Sequence, residues 1–274
     1  MKRDRYAETF ARLAERGEGA FVPFTVLGDP NAKASLEILR AMVAGGADML
    51  ELGIPFSDPV ADGPTIQAAD IRALKAGITP PKAFDIIREF RKKDDDTPIG
   101  LLVYANLVHQ PGLVRFYEDA AAAGVDSILV ADVPMEESAP FHWVGEKTGV
   151  ATISMVTPLT DDARLAQIAK LGGPYLYVVS RLGVTGRDAS LSKSAKPLLR
   201  RIKKQGGPPT LLGFGISKPE HVRAAIAAGA AGAISGSAVV EIIAKESRNR
   251  RKQVLEVQNF VARMKHVSFR LSSF

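Results

Sequence analysis

Short apolar runs rich in β-branched residues alternate with helical patterns along the chain. Eight runs have the length and composition of buried strands: 21–27, 47–54, 98–104, 125–131, 150–157, 174–180, 209–215 and 232–236. Amphipathic stretches follow them, most clearly at 32–45, 81–93, 113–123, 161–171 and 218–228. This alternation predicts a parallel sheet whose strands are connected by helices.

Three helix-to-strand junctions repeat one form, in which a glycine precedes an apolar strand. They read GADMLELG at 46–53, GVDSILVA at 124–131 and GAAGAISG at 229–236. Glycine readily takes the left-handed conformation that ends a helix. Eight such units without a linker predict a single (β/α)8 TIM-barrel domain over residues 1–274 that includes an extra N-terminal helix. An open doubly wound sheet is the alternative, although no G-x-G-x-x-G follows the first strand.

The spacing of the strands locates two insertions. Most predicted strands begin 23–27 residues apart, but 51 residues separate the second from the third and 35 the sixth from the seventh. The first insertion holds ELGIPFSDPVADGP (51–64) and a further helical stretch near 64–76, and the second holds SRLGVTGRDAS (180–190). Both follow the carboxyl ends of strands, the face on which barrel enzymes place their chemistry.

Composition narrows the class of protein. The absence of cysteine excludes disulfides and thiolate chemistry, and no apolar run is long enough to span a membrane, so we expect a soluble, cytoplasmic protein. The net charge of +6 equals the excess of eight basic over two acidic residues in 245–274. We interpret this segment as a last helix packed through Val254, Val257, Val261 and Met264, and we predict no nucleic-acid partner.

Two carboxylates in the first insertion are candidates for acid–base chemistry. Glu51 interrupts the apolar run Met49–Leu52 of a strand expected to be buried, where an unpaired carboxylate is costly. Asp62 follows in a loop bracketed by proline and glycine and could approach the same pocket. The alternatives are an outward Glu51 paired with a cation and an Asp62 that bonds its own turn. Asp58, before Pro59, fits a turn better than chemistry.

Two glycine-rich loops and a possible lid complete the pattern. GFGIS (213–217) and GSA (236–238) end the last two strands at the beginning of helices, where barrels often bind phosphate through backbone N–H groups. Ser217 and Ser237 could instead be simple N-caps. The insertion 180–190, with Gly183 and Gly186, suits a loop that closes over substrate, and a plain surface loop is the alternative.

Absences restrict the reaction further. No predicted strand contains a lysine for a Schiff base, and the four histidines show no metal-ligand spacing. Carbon–carbon or proton-transfer chemistry must then use carboxylates, with Tyr104 or Tyr177 near a strand end as a possible helper. Such a reaction requires a substrate that supplies its own electron sink.

Several motifs resemble one known family. LELGIPFSDPVADGPTIQ (50–67) looks like the signature of the tryptophan synthase alpha subunit family, and other stretches are similar to it over about residues 5–265. These are GAFVPFTVLGDP (19–30), PIGLLVYANLV (98–108), ADVPMEESAPF (131–141), SRLGVTG (180–186), GFGIS and GAAGAISGSA. The resemblance implies a lyase that cleaves indole-3-glycerol phosphate to indole and glyceraldehyde 3-phosphate in tryptophan biosynthesis.

The resemblance also implies roles for individual residues. Glu51 corresponds to the proton shuttle, Asp62 to the carboxylate at indole N1, Tyr177 to the tyrosine near the glutamate, and Thr185 to the lid threonine that meets the aspartate. The implied phosphate site comprises Gly186, Phe214, Gly215, Gly236 and Ser237, and the implied indole pocket comprises Phe24, Leu102 and Phe214.

A partner is implied as well. It is the pyridoxal-phosphate-dependent beta subunit, in an α2β2 heterotetramer, whereas the alpha chain itself needs no cofactor and no metal. The implied interface residues are Asp58, Tyr104, Asn106 and Pro134. Two other readings stay open: a phosphosugar isomerase or epimerase on the same barrel, and a weakly catalytic barrel that activates its partner.

Overall fold

The computed structural model describes residues 3–179, 191–247 and 249–269, with only the main chain at 191–194. The strands are β1 (Ala20–Val26), β2 (Leu50–Gly53), β3 (Ile99–Val103), β4 (Ser127–Val130), β5 (Ala151–Thr152), β6 (Ser154–Val156), β7 (Leu176–Val179), β8 (Thr210–Gly213) and β9 (Gly232–Ser235). The first helices are α1 (Arg5–Glu15), α2 (Ala32–Ala44), α3 (Pro64–Lys75), α4 (Pro80–Arg91), α5 (Ala105–His109) and α6 (Leu113–Ala123). They are followed by α7 (Ala139–Thr148), α8 (Asp162–Leu171), α9 (Leu191–Lys204), α10 (Pro219–Ala227), α11 (Ser237–Lys245) and α12 (Arg250–Lys265).

The strands form a parallel barrel. Their order is β5-β4-β3-β2-β1-β9-β8-β7-β6, so the two ends of the sheet are consecutive pieces of chain separated by Ile153 alone. The N–H of Ile153 still bonds the carbonyl of Ile128 in β4, and the following residues pair with β7. The prediction of a (β/α)8 barrel is confirmed, and the open doubly wound alternative is wrong. The predicted fifth strand is split because it pairs with its two neighbours in succession.

The predicted helices and glycine junctions are also present. Gly46, Gly124 and Gly229 have φ values of 94°, 89° and 104°, in the left-handed region predicted for them. The extra N-terminal helix is α1, and the helical stretch in the first insertion is α3. The second insertion, at 180–190, lies outside the described residues. None of the described helices is both long and apolar enough to cross a membrane.

The basic C-terminal segment packs on the barrel, as predicted. Val257, Val261 and Met264 of α12 are buried, while Val254 is half-buried. Lys265 lies 2.8 Å from Glu18 and 2.9 Å from the buried carboxylate of Asp48. Part of the basic charge of the C-terminal segment is therefore paired with acidic residues in the rest of the domain.

Candidate active site

A cavity of about 900 Å³ opens at the carboxyl ends of the strands. All parallel strands point this way, so side chains from β1, β2, β3, β6 and β7 meet there with the loops after β2, β8 and β9. The predicted residues that line it are Phe24, Glu51, Asp62, Leu102, Tyr177, Phe214, Gly215, Gly236 and Ser237. The structure thus brings together every predicted catalytic and substrate-binding residue that it describes. Thr185 and Gly186 lie outside the described residues.

Glu51 is a buried carboxyl group on the barrel wall. It lies in β2 between Phe24 of β1 and Gly100 of β3, and it is 2% exposed. Among the described residues, its Oε1 atom has no hydrogen-bond partner. Burial raises the pKa of Glu51 to about 8, because desolvation disfavours the charged form. Glu51 therefore carries a proton at neutral pH, and the alternative of a cation-paired surface glutamate is not what the structure shows.

The raised pKa predicts a pH-dependent stability. The folded chain holds the Glu51 proton above the ordinary pKa near 4.5, where the unfolded chain loses it. The free energy of unfolding therefore falls as pH rises from about 4.5 to about 8, and at pH 8 it is about 4 kcal/mol lower than at acidic pH. Relative to wild type, Glu51→Gln should gain about 3 kcal/mol in the free energy of unfolding between pH 5 and pH 8. Denaturant unfolding at both pH values measures this.

A matched control separates burial from a general effect of charge. Glu118→Gln removes one carboxyl group from the exposed face of α6. It should show no such gain between the two pH values. An equal gain in both variants would contradict a buried, protonated Glu51.

Asp62 is positioned by a tyrosine that directly follows the neighbouring strand β3. It lies between β2 and α3, and the hydroxyl of Tyr104 donates to its Oδ2 atom at 2.7 Å. The same hydroxyl accepts from the N–H of Ala61 at 3.2 Å, and the Tyr104 ring stacks on Phe56 at 5.4 Å between centroids. Burial raises the pKa of Asp62, while the Tyr104 hydrogen bond opposes the rise. Tyr104 was expected at a partner surface, but its side chain is buried and directed to this loop.

The Tyr104 contact can be tested by removing one oxygen atom. Tyr104→Phe should raise the apparent pKa on the acid side of the kcat/KM profile, because Asp62 loses the donor that favours its charged form. We expect about a tenfold fall in kcat/KM near neutral pH, of the size of one hydrogen bond to a charged group. Tyr117→Phe, a buried tyrosine away from the cavity, is the control. An unmoved profile in Tyr104→Phe would exclude this role.

Tyr177 and Phe214 form an aromatic part of the cavity wall. Tyr177 is buried, and its ring meets Phe214 edge-on at 6.4 Å. A Cβ atom at Gly213 would lie 2.3 Å from the Tyr177 hydroxyl oxygen, so only glycine leaves room for this ring. The backbone of Phe214 takes a positive φ of 68°. The glycine-rich ending of β8 therefore fits Tyr177 beside the cavity.

The predicted phosphate loops lie at the beginning of two helices. Gly236 is the N-cap of α11, and the N-terminus of this helix carries the partial positive charge that favours anions. Lys218 is the N-cap of α10. The alternative reading of Ser217 and Ser237 as N-caps is therefore wrong, and both serines line the cavity instead.

Other residues of the cavity were not predicted. Lys218, His221 and Glu241 line it: Lys218 is the N-cap of α10, His221 lies on α10 and Glu241 lies on α11. The immediate proximity of Lys218 to GFGIS was the available signal. Asp70 is a further buried carboxyl group behind the Asp62 loop, and burial and then the charge of Asp62 raise its pKa to about 7.

The predicted interface residues differ in exposure. Asp58, Asn106 and Pro134 are exposed and do not line the cavity. Across residues 3–179, 191–247 and 249–269, no cluster of three or more acidic or histidine side chains could hold a metal ion.

Comparison with known sequences identifies relatives over nearly the whole chain. A family model described as "Tryptophan synthase alpha chain" matches residues 10–268. The tryptophan synthase alpha chain of Francisella tularensis subsp. tularensis (strain FSC 198) is 51% identical over 262 residues, which cover 96% of this chain and 97% of the relative. That of Vibrio vulnificus (strain CMCP6) is 52% identical over 262 residues, with 96% and 98% covered.

Solved structures named as tryptophan synthase superpose on this chain over most of its length. The crystal structure of the tryptophan synthase alpha chain from Legionella pneumophila subsp. pneumophila superposes with a TM-score of 0.89 at 29% identity and covers 100% of both chains. A chain from the study of mutual activation of the tryptophan synthase α2β2 complex from Pyrococcus furiosus gives a TM-score of 0.82 at 38% identity, covering 90% of this chain and 98% of that one. With a matching family model, relatives above 50% identity and this cavity, the chain belongs to the tryptophan synthase alpha chain family.

Proposed function

We propose that Glu51 and Asp62 together carry out the alpha reaction of this family, the cleavage of indole-3-glycerol phosphate to indole and D-glyceraldehyde 3-phosphate. The observation that carries the assignment is a protonated, buried carboxyl group and a second carboxylate on one cavity. The cavity of about 900 Å³ lies in the range of small-molecule sites and has apolar walls for an indole ring.

The reaction begins with a proton transfer to carbon. Glu51 gives its proton to indole C3. Asp62 accepts a hydrogen bond from the indole N1–H group and stabilises the positive charge that develops at N1. The raised pKa of Glu51 suits this step, because a general acid must hold its proton at the working pH. The ring is then an indolenine-like electron sink.

Cleavage returns the proton to Glu51. The Glu51 carboxylate removes the proton of the hydroxyl group on the carbon attached to C3. The O–H electron pair forms the aldehyde C=O, the bond from C3 to this carbon breaks, and its electron pair restores the aromatic indole. Atoms and charge balance, and Glu51 is again protonated, so no cofactor is needed in this chain.

Tyr177 and the aromatic wall orient the substrate. Tyr177 of β7, Phe24 of β1 and Phe214 after β8 line the cavity together with Leu102 of β3. We assign Phe24, Leu102 and Phe214 to the indole ring, and Gly186, Phe214, Gly215, Gly236 and Ser237 to the phosphate. We assign Thr185 to a contact with Asp62. An isomerase would need the same phosphate loops but no apolar wall of this extent.

The partner assignment is part of the proposal. We assign the exposed residues Asp58, Asn106 and Pro134 to a face for a beta subunit, which holds pyridoxal phosphate and receives indole in an α2β2 assembly. Asp58 lies on the loop that also carries Asp62, so docking could order both together. Tyr104 acts from beneath this loop through Asp62.

The assignment is tested by measuring both products. The chain should convert indole-3-glycerol phosphate to equal amounts of indole and glyceraldehyde 3-phosphate, faster when beta subunit is added. Release of neither product, with and without beta subunit, would refute the lyase. Isomerisation of a phosphosugar without C–C cleavage would favour the alternative barrel enzyme.

A further inference from the structure

The two helices at the phosphate end of the cavity offer different groups to an anion. At the start of α11, the N–H groups of Ser237 and Ala238 precede the first intrahelical hydrogen bonds, which begin at Val239. Both residues line the cavity. This helix can therefore bind an anion through its backbone and its N-terminal dipole.

The start of α10 offers an anion fewer backbone amides than the start of α11. The N–H of Ser217 already donates to Nδ1 of His221 at 3.2 Å. Pro219, the first residue of α10, has no N–H to give. Between these two positions lies Lys218, an exposed residue that lines the cavity. The positive charge that this end of the cavity can offer an anion is therefore the Lys218 ammonium, in addition to any backbone amide.

The charges around the cavity also call for a cation. Besides the protonated Glu51, the lining holds the carboxyl groups of Asp62 and Glu241. Lys218 is the cavity's one lysine or arginine in the described part of the chain. Its ammonium has no salt-bridge partner among the residues described. Without the positive charge of Lys218, a phosphate dianion would enter a cavity whose carboxylates are also negatively charged.

We infer that Lys218 is a substrate-binding residue whose ammonium pairs with the phosphate group of the substrate, which the backbone amides at the start of α11 also bind. His221 supports this arrangement, because its Nδ1 atom fixes the Ser217 amide and so the loop from which Lys218 projects. The inference rests on the proposed function for its substrate, and it extends the phosphate site beyond the backbone groups of the glycine-rich loops.

Binding of inorganic phosphate to the full chain tests the inference without catalysis. Lys218→Gln should weaken phosphate binding about tenfold, the loss of one charge-assisted contact, and Lys218→Arg should stay within about threefold of wild type. Lys170→Gln removes the same charge from an exposed site on α8, outside the cavity, and should bind phosphate like wild type. Calorimetric titration at constant ionic strength gives the dissociation constants.

The kinetic test uses the substrate with and without its phosphate. For indole-3-glycerol phosphate, Lys218→Gln should raise KM about tenfold with little change in kcat. For indole-3-glycerol, which lacks the phosphate, Lys218→Gln and wild type should have equal kcat/KM. The inference would be overturned if Lys218→Gln bound phosphate with a dissociation constant within threefold of wild type. It would also be overturned if Lys170→Gln lost as much phosphate affinity as Lys218→Gln. Wild type that binds phosphate through Lys218 but cleaves nothing would refute the proposed function and leave this inference standing.

Discussion

Glu51→Gln is expected to lower kcat by about a thousandfold or more while the dissociation constant of indole-3-glycerol phosphate stays within about threefold. Glutamine has the shape of a protonated glutamate, so the buried site can accommodate it. It has no acidic proton to give to indole C3 and cannot take one from the glycerol hydroxyl. Both proton transfers are lost at once, whereas the substrate-binding walls remain.

The expected pattern distinguishes chemistry from folding. The same substitution should stabilise the chain at pH 8, since it removes the buried titrating group. A variant that is more stable, binds substrate and does not turn over would have lost only the proton shuttle. Loss of substrate binding together with loss of stability would instead indicate a structural role for Glu51.

Asp62→Asn is expected to reduce kcat by about a hundredfold or more, since it removes one preorganised charge at the point where positive charge develops. Asparagine can still accept from Tyr104 through its carbonyl oxygen, so the loop should keep its conformation. The lost quantity is the negative charge beside indole N1. Steady-state kinetics of the isolated chain measure the effect.

A nearby aspartate supplies the control for Asp62. Asp58→Asn removes the same charge from the same loop, but Asp58 is exposed and does not line the cavity. In the isolated chain, it should leave kcat within about twofold of wild type. Equal losses in the two variants would show that loop charge in general, and not Asp62 at N1, determines the rate.

The barrel was predictable because its determinants are local. Strand runs, helical periods and helix-ending glycines such as Gly46 and Gly124 are read over a few residues each. The break at Ile153 was not predictable, because it depends on which neighbouring strand each residue pairs with. Glu51 could be singled out because a carboxyl group in an apolar strand is exceptional at the level of the sequence itself.

Other parts of the site depend on contacts between distant segments. Tyr104 looked like a surface residue or a strand-end helper, and only the fold brings its hydroxyl to Asp62, 42 residues earlier in the chain. The significance of Lys218 depends on which other charged groups line the same cavity, and Asp62 and Glu241 reach it from distant parts of the chain. Residue type and spacing do not reveal such complementarity.

Product release by wild type and Glu51→Gln, measured side by side with saturating indole-3-glycerol phosphate, tests the central claim most directly. The assay quantifies indole and glyceraldehyde 3-phosphate together, and substrate binding is measured on the same samples. We expect equimolar products from wild type, and less than about a thousandth of that rate from a Glu51→Gln chain that still binds substrate. No cleavage by wild type, or a wild-type rate in Glu51→Gln, would contradict the assignment.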